Sequence, residues 1–230
     1  MAKTDGVTIE SLRPTIAELE RILQWSFRRL GMDKLYRDKT GLAQELEKVT
    51  IVVETTGRRK NLLGHFLCKT AQTAWRTREG DEISEIKISS EHLARDPVAI
   101  TETIIHEAVH LWCWYLGLKD TSSGGAYHNK VFKEQAELVG LDFEHEGRSI
   151  PGHGYGLTKL GDELEEKVRS SLKPKLEAFQ IFKDTAPARK AAKPKLALWM
   201  CSCPVRLRVA YDTELEATCN DCGMNFEKQN

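Results

Sequence analysis

The amino-acid sequence predicts an α+β fold followed by a small separate C-terminal unit, on three observations. Apolar residues recur with helical spacing near the N-terminus and again from about residue 99. Between these regions lie short apolar, β-branched segments that are typical of strands. Four cysteines cluster near the C-terminus, beyond a stretch rich in alanine, proline and lysine. Helices on either side of a small antiparallel sheet indicate an α+β domain.

The composition gives no global charge preference. The 230 residues include 34 lysines and arginines and 34 aspartates and glutamates, so the net charge favours neither nucleic-acid nor acidic partners. No apolar run approaches the roughly 20 residues that cross a bilayer, and the N-terminus lacks the pattern of a secretory signal. We therefore expect a cytoplasmic protein without a membrane partner, with one main domain and one minor domain.

The first half of the chain is expected to place strands after an N-terminal helix. Apolar residues from Ile16 to Leu30 have a helical distribution that Gly31 can end, and a second short helix is expected over 41–46. Strand patterns separated by turn-rich sequence follow over 49–54, 62–67, 73–75 and 86–89.

The second half returns to helical patterns. One helix is expected from Ala99 to Gly117 and another from Asn129 to Leu138, and a charged helical extension beyond residue 158 should be interrupted at Pro174. Residues 183–195 have the composition of a linker. The predicted organisation is an N-terminal helical segment (1–45), a core (46–160), the extension with a basic linker (161–197) and a cysteine-containing unit (198–230).

The most informative motif is His106-Glu107-Ala108-Val109-His110, an HExxH pattern within a predicted helix. Histidines four residues apart lie on one helix face, where both imidazoles can bind one zinc ion. Glu107 is then placed to act as general base towards a metal-bound water. The alternative is a solvent-facing patch on an ordinary helix. Apolar neighbours on both sides argue against it, because buried imidazoles beside a carboxylate need partners.

A third protein ligand is required, since three ligands leave a fourth position open for water. The candidates are His128, His145, His153 and the carboxylates of Glu134 and Glu137. We favour His128, because it opens a helix directly after a glycine-containing loop that allows this helix to fold back on the first. His153 is the next choice, and the glycine-rich stretch around it could cover the site as a flap.

With these motifs, the region from Ile83 to Val139 resembles the SprT-like metallopeptidase domain. The resemblance rests on segments 83–90, 103–112 and 127–132. The last two supply HExxH and, after a glycine-containing spacer, a histidine that opens the next helix. It implies a zincin-like fold, a catalytic zinc held by His106, His110 and His128, and Glu107 as catalytic acid and base.

The resemblance also suggests a class of substrate. Eukaryotic members of the SprT-like group degrade proteins crosslinked to DNA, so a protein substrate associated with DNA is the family-level expectation. A strand bordering the cleft, over residues 85–89, could hold an extended peptide by edge pairing. The simpler interpretation is that Ile86 and Ile88 only pack the core.

The four C-terminal cysteines form a second candidate metal site. Cys201 and Cys203 precede a predicted strand over 205–211, and Cys219 and Cys222 follow it, an arrangement typical of a two-knuckle zinc ribbon. Four thiolates leave no open coordination position, so this zinc would be structural and would hold a small unit together. Two disulfides or free thiols are the alternative. The resemblance to the SprT-like family extends to this ribbon.

A locally basic stretch surrounds the start of the ribbon, with Lys190, Lys193, Lys195, Arg206 and Arg208. These side chains could bind DNA phosphates without reading sequence, or they could simply be a solvated linker and strand face.

Two functions therefore compete. The first is a zinc-dependent endopeptidase of the cytoplasm or nucleoid, and the second is a non-enzymatic DNA- or protein-binding adaptor with two structural zinc sites. A zinc hydrolase that acts on another amide or ester is a third possibility. Glu107 favours the first, because a purely structural site has no use for a general base.

Overall fold

The computed structural model of the protein describes residues 10–32, 48–55, 62–69, 73–184 and 196–229, apart from Pro204 and Tyr211. The chain divides into two compact units, Met1–Thr185 and Ala186–Asn230. Helices and small sheets are mixed along the chain, which confirms the predicted α+β class. None of the described helices has both the length and the apolar character that a membrane crossing requires.

The described part of the first unit contains four α-helices: α1 (Arg13–Arg29), α2 (Pro97–Tyr115), α3 (Lys130–Leu138) and α4 (Asp162–Lys167). A proline lies in the first turn of both α1 and α2, where its missing N–H is tolerated. Asp96 caps α2 by accepting a hydrogen bond from the Val98 N–H. Both helices cover segments predicted to be helical, whereas the helix predicted over 41–46 lies outside the described residues.

The main sheet has four strands, β1 (Val49–Glu54), β2 (Gly64–Leu67), β3 (Trp75–Arg76) and β4 (Glu82–Ser89). Its order is β1-β4-β2, and β3 pairs with the beginning of β4. β2 and β3 run antiparallel to β4, but β1 runs parallel to it. The prediction of an antiparallel sheet is therefore wrong for β1, because β4 inserts between two strands that are consecutive in sequence.

The central position of β4 corrects a second prediction. Residues 85–88 pair with β1 on one side and with β2 on the other, so this segment has no free edge for a peptide. Within the described part of the sheet, the open edge beside α2 belongs to β2.

Two short strand pairs flank α3. β5 (Thr121–Ser122) pairs with β6 (Tyr127–His128), and β7 (Leu141–Phe143) pairs with β8 (Thr158–Leu160). The sequence did not predict them, because two or three residues show no recognisable period. They fix the chain segments that follow α2 and α3.

The core of the first unit surrounds α2. Ile104, Ile105, Val109 and Trp112 of this helix are almost completely buried, and α1, β2 and α3 pack against it. A helix that is apolar on several sides is typical of a core position. The rigid surroundings of α2 hold the HExxH segment in place.

The segment after β8 packs into this core instead of extending away from it. α4 continues into a π-helical turn, Val168–Leu172, and Leu164, Val168, Leu172 and Phe179 are buried with the rest of the core. The helix ends at Lys173, whose φ is 50°, because a residue before proline is disfavoured in the α conformation. This is the interruption that Pro174 predicted.

The second unit contains β9 (Leu196–Met200), β10 (Arg206–Ala210) and β11 (Glu227–Lys228) in the order β10-β9-β11. β10 agrees with the strand predicted over 205–211, whereas β9 was not predicted. Among the described residues of this unit, few are buried in its core: Ala197, Trp199, Cys201, Cys219 and Phe226. So small a core agrees with the need for an additional stabilising element.

Candidate metal centre

Three histidines converge beside the middle of α2. The Nε2 atom of His106 lies 3.3 Å from that of His110 and 3.2 Å from that of His128, and the His110 and His128 Nε2 atoms are 3.0 Å apart. The structure thus brings together the two histidines of the HExxH motif and the favoured third candidate. His145 and His153 are exposed and do not belong to the cluster, nor do Glu134 and Glu137, which are also exposed.

The three imidazoles fit a zinc ion. Ligand nitrogens 2.0–2.1 Å from a tetrahedral zinc lie about 3.3 Å from one another, close to the separations observed. Burial, reinforced by the neighbouring histidines, holds the pKa of His106 well below its ordinary value and lowers that of His128 to about 4. Neutral imidazoles whose lone pairs meet at one point repel each other unless a cation lies between them.

Asn129 and Phe132 explain why His128 reaches this position. The Asn129 side chain caps α3 by accepting hydrogen bonds from the N–H groups of Val131 and Phe132, so the helix begins directly after the cap residue that follows His128. The Phe132 ring then lies 4.6–4.8 Å from all three imidazole rings. This apolar floor restricts the imidazoles to one arrangement.

Two side chains outside the motif hold the outer nitrogens of the HExxH histidines. Asp120 Oδ2 lies 2.5 Å from His110 Nδ1, and Thr158 Oγ1 lies 3.1 Å from His106 Nδ1. When Nδ1 carries the proton, Nε2 is left as the free lone pair that faces the centre. Sequence reasoning missed both residues, because neither has a fixed spacing from the motif.

The segment around His153 contributes through its backbone. The His128 N–H donates to the His153 carbonyl, and the Tyr155 N–H donates to the His128 carbonyl. A Cβ at Gly154 would overlap the His128 carbonyl, and one at Gly156 would lie 2.7 Å from His128 Nδ1. The glycine-rich stretch therefore packs directly against His128. Only glycines allow its backbone to approach the histidine so closely.

Glu107 is buried between α2 and β2, with 4% of its surface exposed. Burial raises the pKa of Glu107 to about 7, while His110 and a hydrogen bond from the Phe66 N–H oppose this rise. A Cβ at Gly64 would lie 2.9 Å from Glu107 Oε1, so β2 passes directly against the carboxylate. A carboxyl group with a raised pKa, beside three histidines that could hold a metal, is suited to proton transfer.

A family model described as the SprT-like family matches residues 31–149, which include the three histidines and Glu107. The chain belongs to the SprT-like family. Neither the curated proteins nor the solved structures that were compared with this SprT-like protein include a significant match.

The C-terminal cysteines of the SprT-like chain lie outside the matched region and form a second cluster. The Sγ atoms of Cys201, Cys203, Cys219 and Cys222 all lie within 4.8 Å of one another. The Sγ atoms of Cys203 and Cys219 are 3.6 Å apart and those of Cys201 and Cys203 are 2.8 Å apart, beyond the roughly 2.05 Å of a disulfide. Sulfurs around a tetrahedral zinc lie about 3.8 Å apart, so the cluster is compatible with a metal-bound ribbon.

The basic residues predicted to contact DNA are only partly described. Arg206 and Arg208 alternate with Leu207 and Val209 along β10 and are exposed, so they share one face of the sheet. The predicted linker residues Lys190, Lys193 and Lys195 lie outside the described residues. Over residues 196–229 the sequence has three basic side chains and five acidic ones, so the basic face is local.

Proposed function

We propose that this protein is a zinc-dependent endopeptidase. The observation that carries this proposal is the convergence of three imidazole Nε2 atoms beside the buried carboxylate of Glu107. His106, His110 and His128 would hold the catalytic ion and leave one coordination position for water. A zinc ion held there would lower the pKa of its bound water and polarise the carbonyl of a peptide bond.

Glu107 supplies the proton transfers. In the metal-free protein burial raises the pKa of Glu107, which favours proton uptake; its carboxylate would accept a proton from the water and its carboxylic acid would return that proton to the leaving amine. The Phe66 N–H donates a hydrogen bond to Glu107 and thereby orients the carboxylate from the β2 side. The base and two of the three proposed metal ligands, His106 and His110, are thus held by neighbouring residues of one buried helix, and His128 comes from β6.

The open edge of β2 is the proposed site for an extended peptide. Among the described strands Gly64–Leu67 pairs with β4 and is the last in the sheet order, and the contact between Gly64 and Glu107 places this strand beside the proposed general base. Edge pairing binds a chain through its backbone and therefore accepts internal segments of a protein. Together with the helix that carries His106 and His110, this arrangement supports a zincin-like classification of the fold.

Proteins associated with DNA are the proposed substrate class, and a cytoplasmic or nucleoid location belongs to the same proposal. The support is the family assignment together with Arg206, Arg208 and the linker lysines 190, 193 and 195. Because the ribbon sequence has more acidic than basic residues, the linker must supply most of the positive charge. The cysteine cluster would hold a structural zinc.

The test compares the wild-type protein with Glu107→Gln, using a denatured protein as substrate. We expect cleavage to fall by at least about 100-fold, because the amide cannot accept the proton, while the zinc content stays unchanged. Glu134→Gln, at an exposed position on α3, is the control and should cleave normally. Equal cleavage by Glu107→Gln would contradict the proposal, and a wild-type protein that binds zinc without cleaving would favour the adaptor.

A further inference from the structure

The Nδ1 atoms of His106 and His110, which point away from the proposed metal position, have different hydrogen-bond partners. Asp120 reaches His110 Nδ1 directly with a carboxylate oxygen, whereas His106 Nδ1 meets only the hydroxyl of Thr158. Thr158 lies at the beginning of β8 and its surface is 9% exposed. A buried hydroxyl between a ligand histidine and the rest of the protein needs an acceptor for its own proton.

Glu102 is that acceptor. It lies one helical turn before His106 on α2, so both side chains project from the same face. Burial raises the pKa of Glu102 to about 7, with Glu144 acting in the same direction, while Arg95 and a hydrogen bond with Thr158 lower it. The Thr158 hydroxyl therefore contacts both the carboxylate and the imidazole.

The available protons determine the direction of the two hydrogen bonds that connect His106, Thr158 and Glu102. His106 must keep its Nε2 lone pair for the metal, so its Nδ1 carries the proton and donates to Thr158 Oγ1. A threonine hydroxyl has a single proton, and Thr158 can then donate only to Glu102. The carboxylate thus acts on His106 through one intervening hydroxyl.

We propose that Thr158 and Glu102 are positioning residues of the metal centre, which orient His106 and make it a stronger ligand. This inference rests on the proposed function, because it assumes that His106 binds the catalytic ion. It gives β8 a role in the centre although residue 158 lies beyond the part of the chain matched by the family model. The two HExxH histidines would each be supported by a carboxylate, one directly and one through a hydroxyl.

The experiment measures the affinity of the histidine site in the full chain. Co²⁺ replaces zinc as the probe, because only the cysteine site gives thiolate charge-transfer bands and the two sites can be followed separately. Thr158→Val removes the hydroxyl and nearly keeps the volume, and we expect its Co²⁺ affinity at the histidine site to fall about 10- to 100-fold. Thr158→Ser keeps the hydroxyl and should stay within about threefold of wild type.

Glu102→Gln tests the second step and should weaken Co²⁺ binding by about tenfold. Glu137→Gln, at an exposed position on α3, is its matched control and should bind normally. Unchanged affinity in both Thr158→Val and Glu102→Gln would overturn the inference, as would equal losses in Thr158→Val and Thr158→Ser. If the wild-type histidine site binds no Co²⁺, the proposed function itself fails, which is a distinguishable outcome.

Discussion

Each histidine of the candidate metal centre is held at two points, by its helix or strand and by a contact to its ring. For His128 the ring contact is steric, because the backbone of Gly156 lies directly against the imidazole. Nothing larger than hydrogen fits at that position while His128 stays in place. Close packing of this kind controls ligand geometry as firmly as a hydrogen bond does.

Gly156→Ala should therefore weaken metal binding at the histidine centre. Its Cβ would lie 2.7 Å from His128 Nδ1 and 3.0 Å from Cε1, so the ring must move away from the other two ligands. We expect at least about a tenfold loss of zinc affinity, measured by competition with a chelator. Leu157→Ala is the control, because that side chain is 41% exposed, and equal effects of the two substitutions would contradict this explanation.

The predictable part of the site is the part with a helical period. His106, Glu107 and His110 share one helix, and His128 was predicted because it opens the next helix directly after a glycine-containing loop. Asp120 and Thr158 escaped prediction because their contacts depend on how loops and short strands close around α2. An acidic residue shortly after the motif helix was the available signal for Asp120, and Thr158 gave none.

Among the secondary-structure elements, the contact between β2 and α2 connects the sheet to Glu107, the proposed general base. β2 approaches α2 closely at Gly64, where the nearest side-chain atoms belong to Thr103 and Glu107. Any side chain at residue 64 would prevent the strand from approaching α2 as closely as it does. The geometry of Glu107 therefore depends on a glycine in a neighbouring element.

Gly64→Ala should reduce cleavage without removing the metal. The added Cβ would lie 2.9 Å from Glu107 Oε1 and 3.0 Å from Thr103 Cγ2, so the carboxylate must shift. A displacement approaching 1 Å at a reacting group can lower kcat by about 100-fold. Steady-state kinetics together with zinc analysis check this expectation, and a loss of zinc in parallel with activity would show that the carboxylate is not the affected group.

The bounds of the main helices and strands agree with the sequence-based prediction more closely than the order of the strands in the sheet does. β1 has the predicted bounds, and α2 covers the predicted helix with its end at Tyr115, because their apolar periods are strong. The pairing of β4 with both β1 and β2 could not be predicted, since strand order depends on long-range contacts. The open edge was consequently assigned to β4 when it belongs to β2.

At the scale of the whole molecule, the chain combines a core built around α2 with a small unit built around cysteines. The first unit buries a large apolar cluster. The free energy that this burial contributes offsets the unfavourable burial of a carboxyl group such as Glu107. The second has few buried residues and would depend on its metal. Stability of the first unit should therefore respond to pH, and that of the second to chelators.

The pH dependence follows from Glu107 in the metal-free protein. Its folded-state pKa of about 7 lies above the ordinary value of 4.5, so the folded state favours the protonated form and loses stability as pH rises between these values. Metal-free Glu107→Gln should be more stable than metal-free wild type by about 3 kcal/mol at pH 8 and by less than about 1 kcal/mol at pH 5. Urea unfolding at both pH values measures this difference, and a difference independent of pH would contradict it.

The proposed function requires that His106, His110 and His128 bind one metal ion while the cysteines bind another. The most direct measurement is the zinc content per chain of the wild-type protein and of His128→Ala, after equal exposure to a weak chelator. We predict two zinc ions in the wild type and one in His128→Ala, because two histidines without the third cannot retain the ion. A wild-type protein with a single zinc, unchanged by His128→Ala, would contradict the claim.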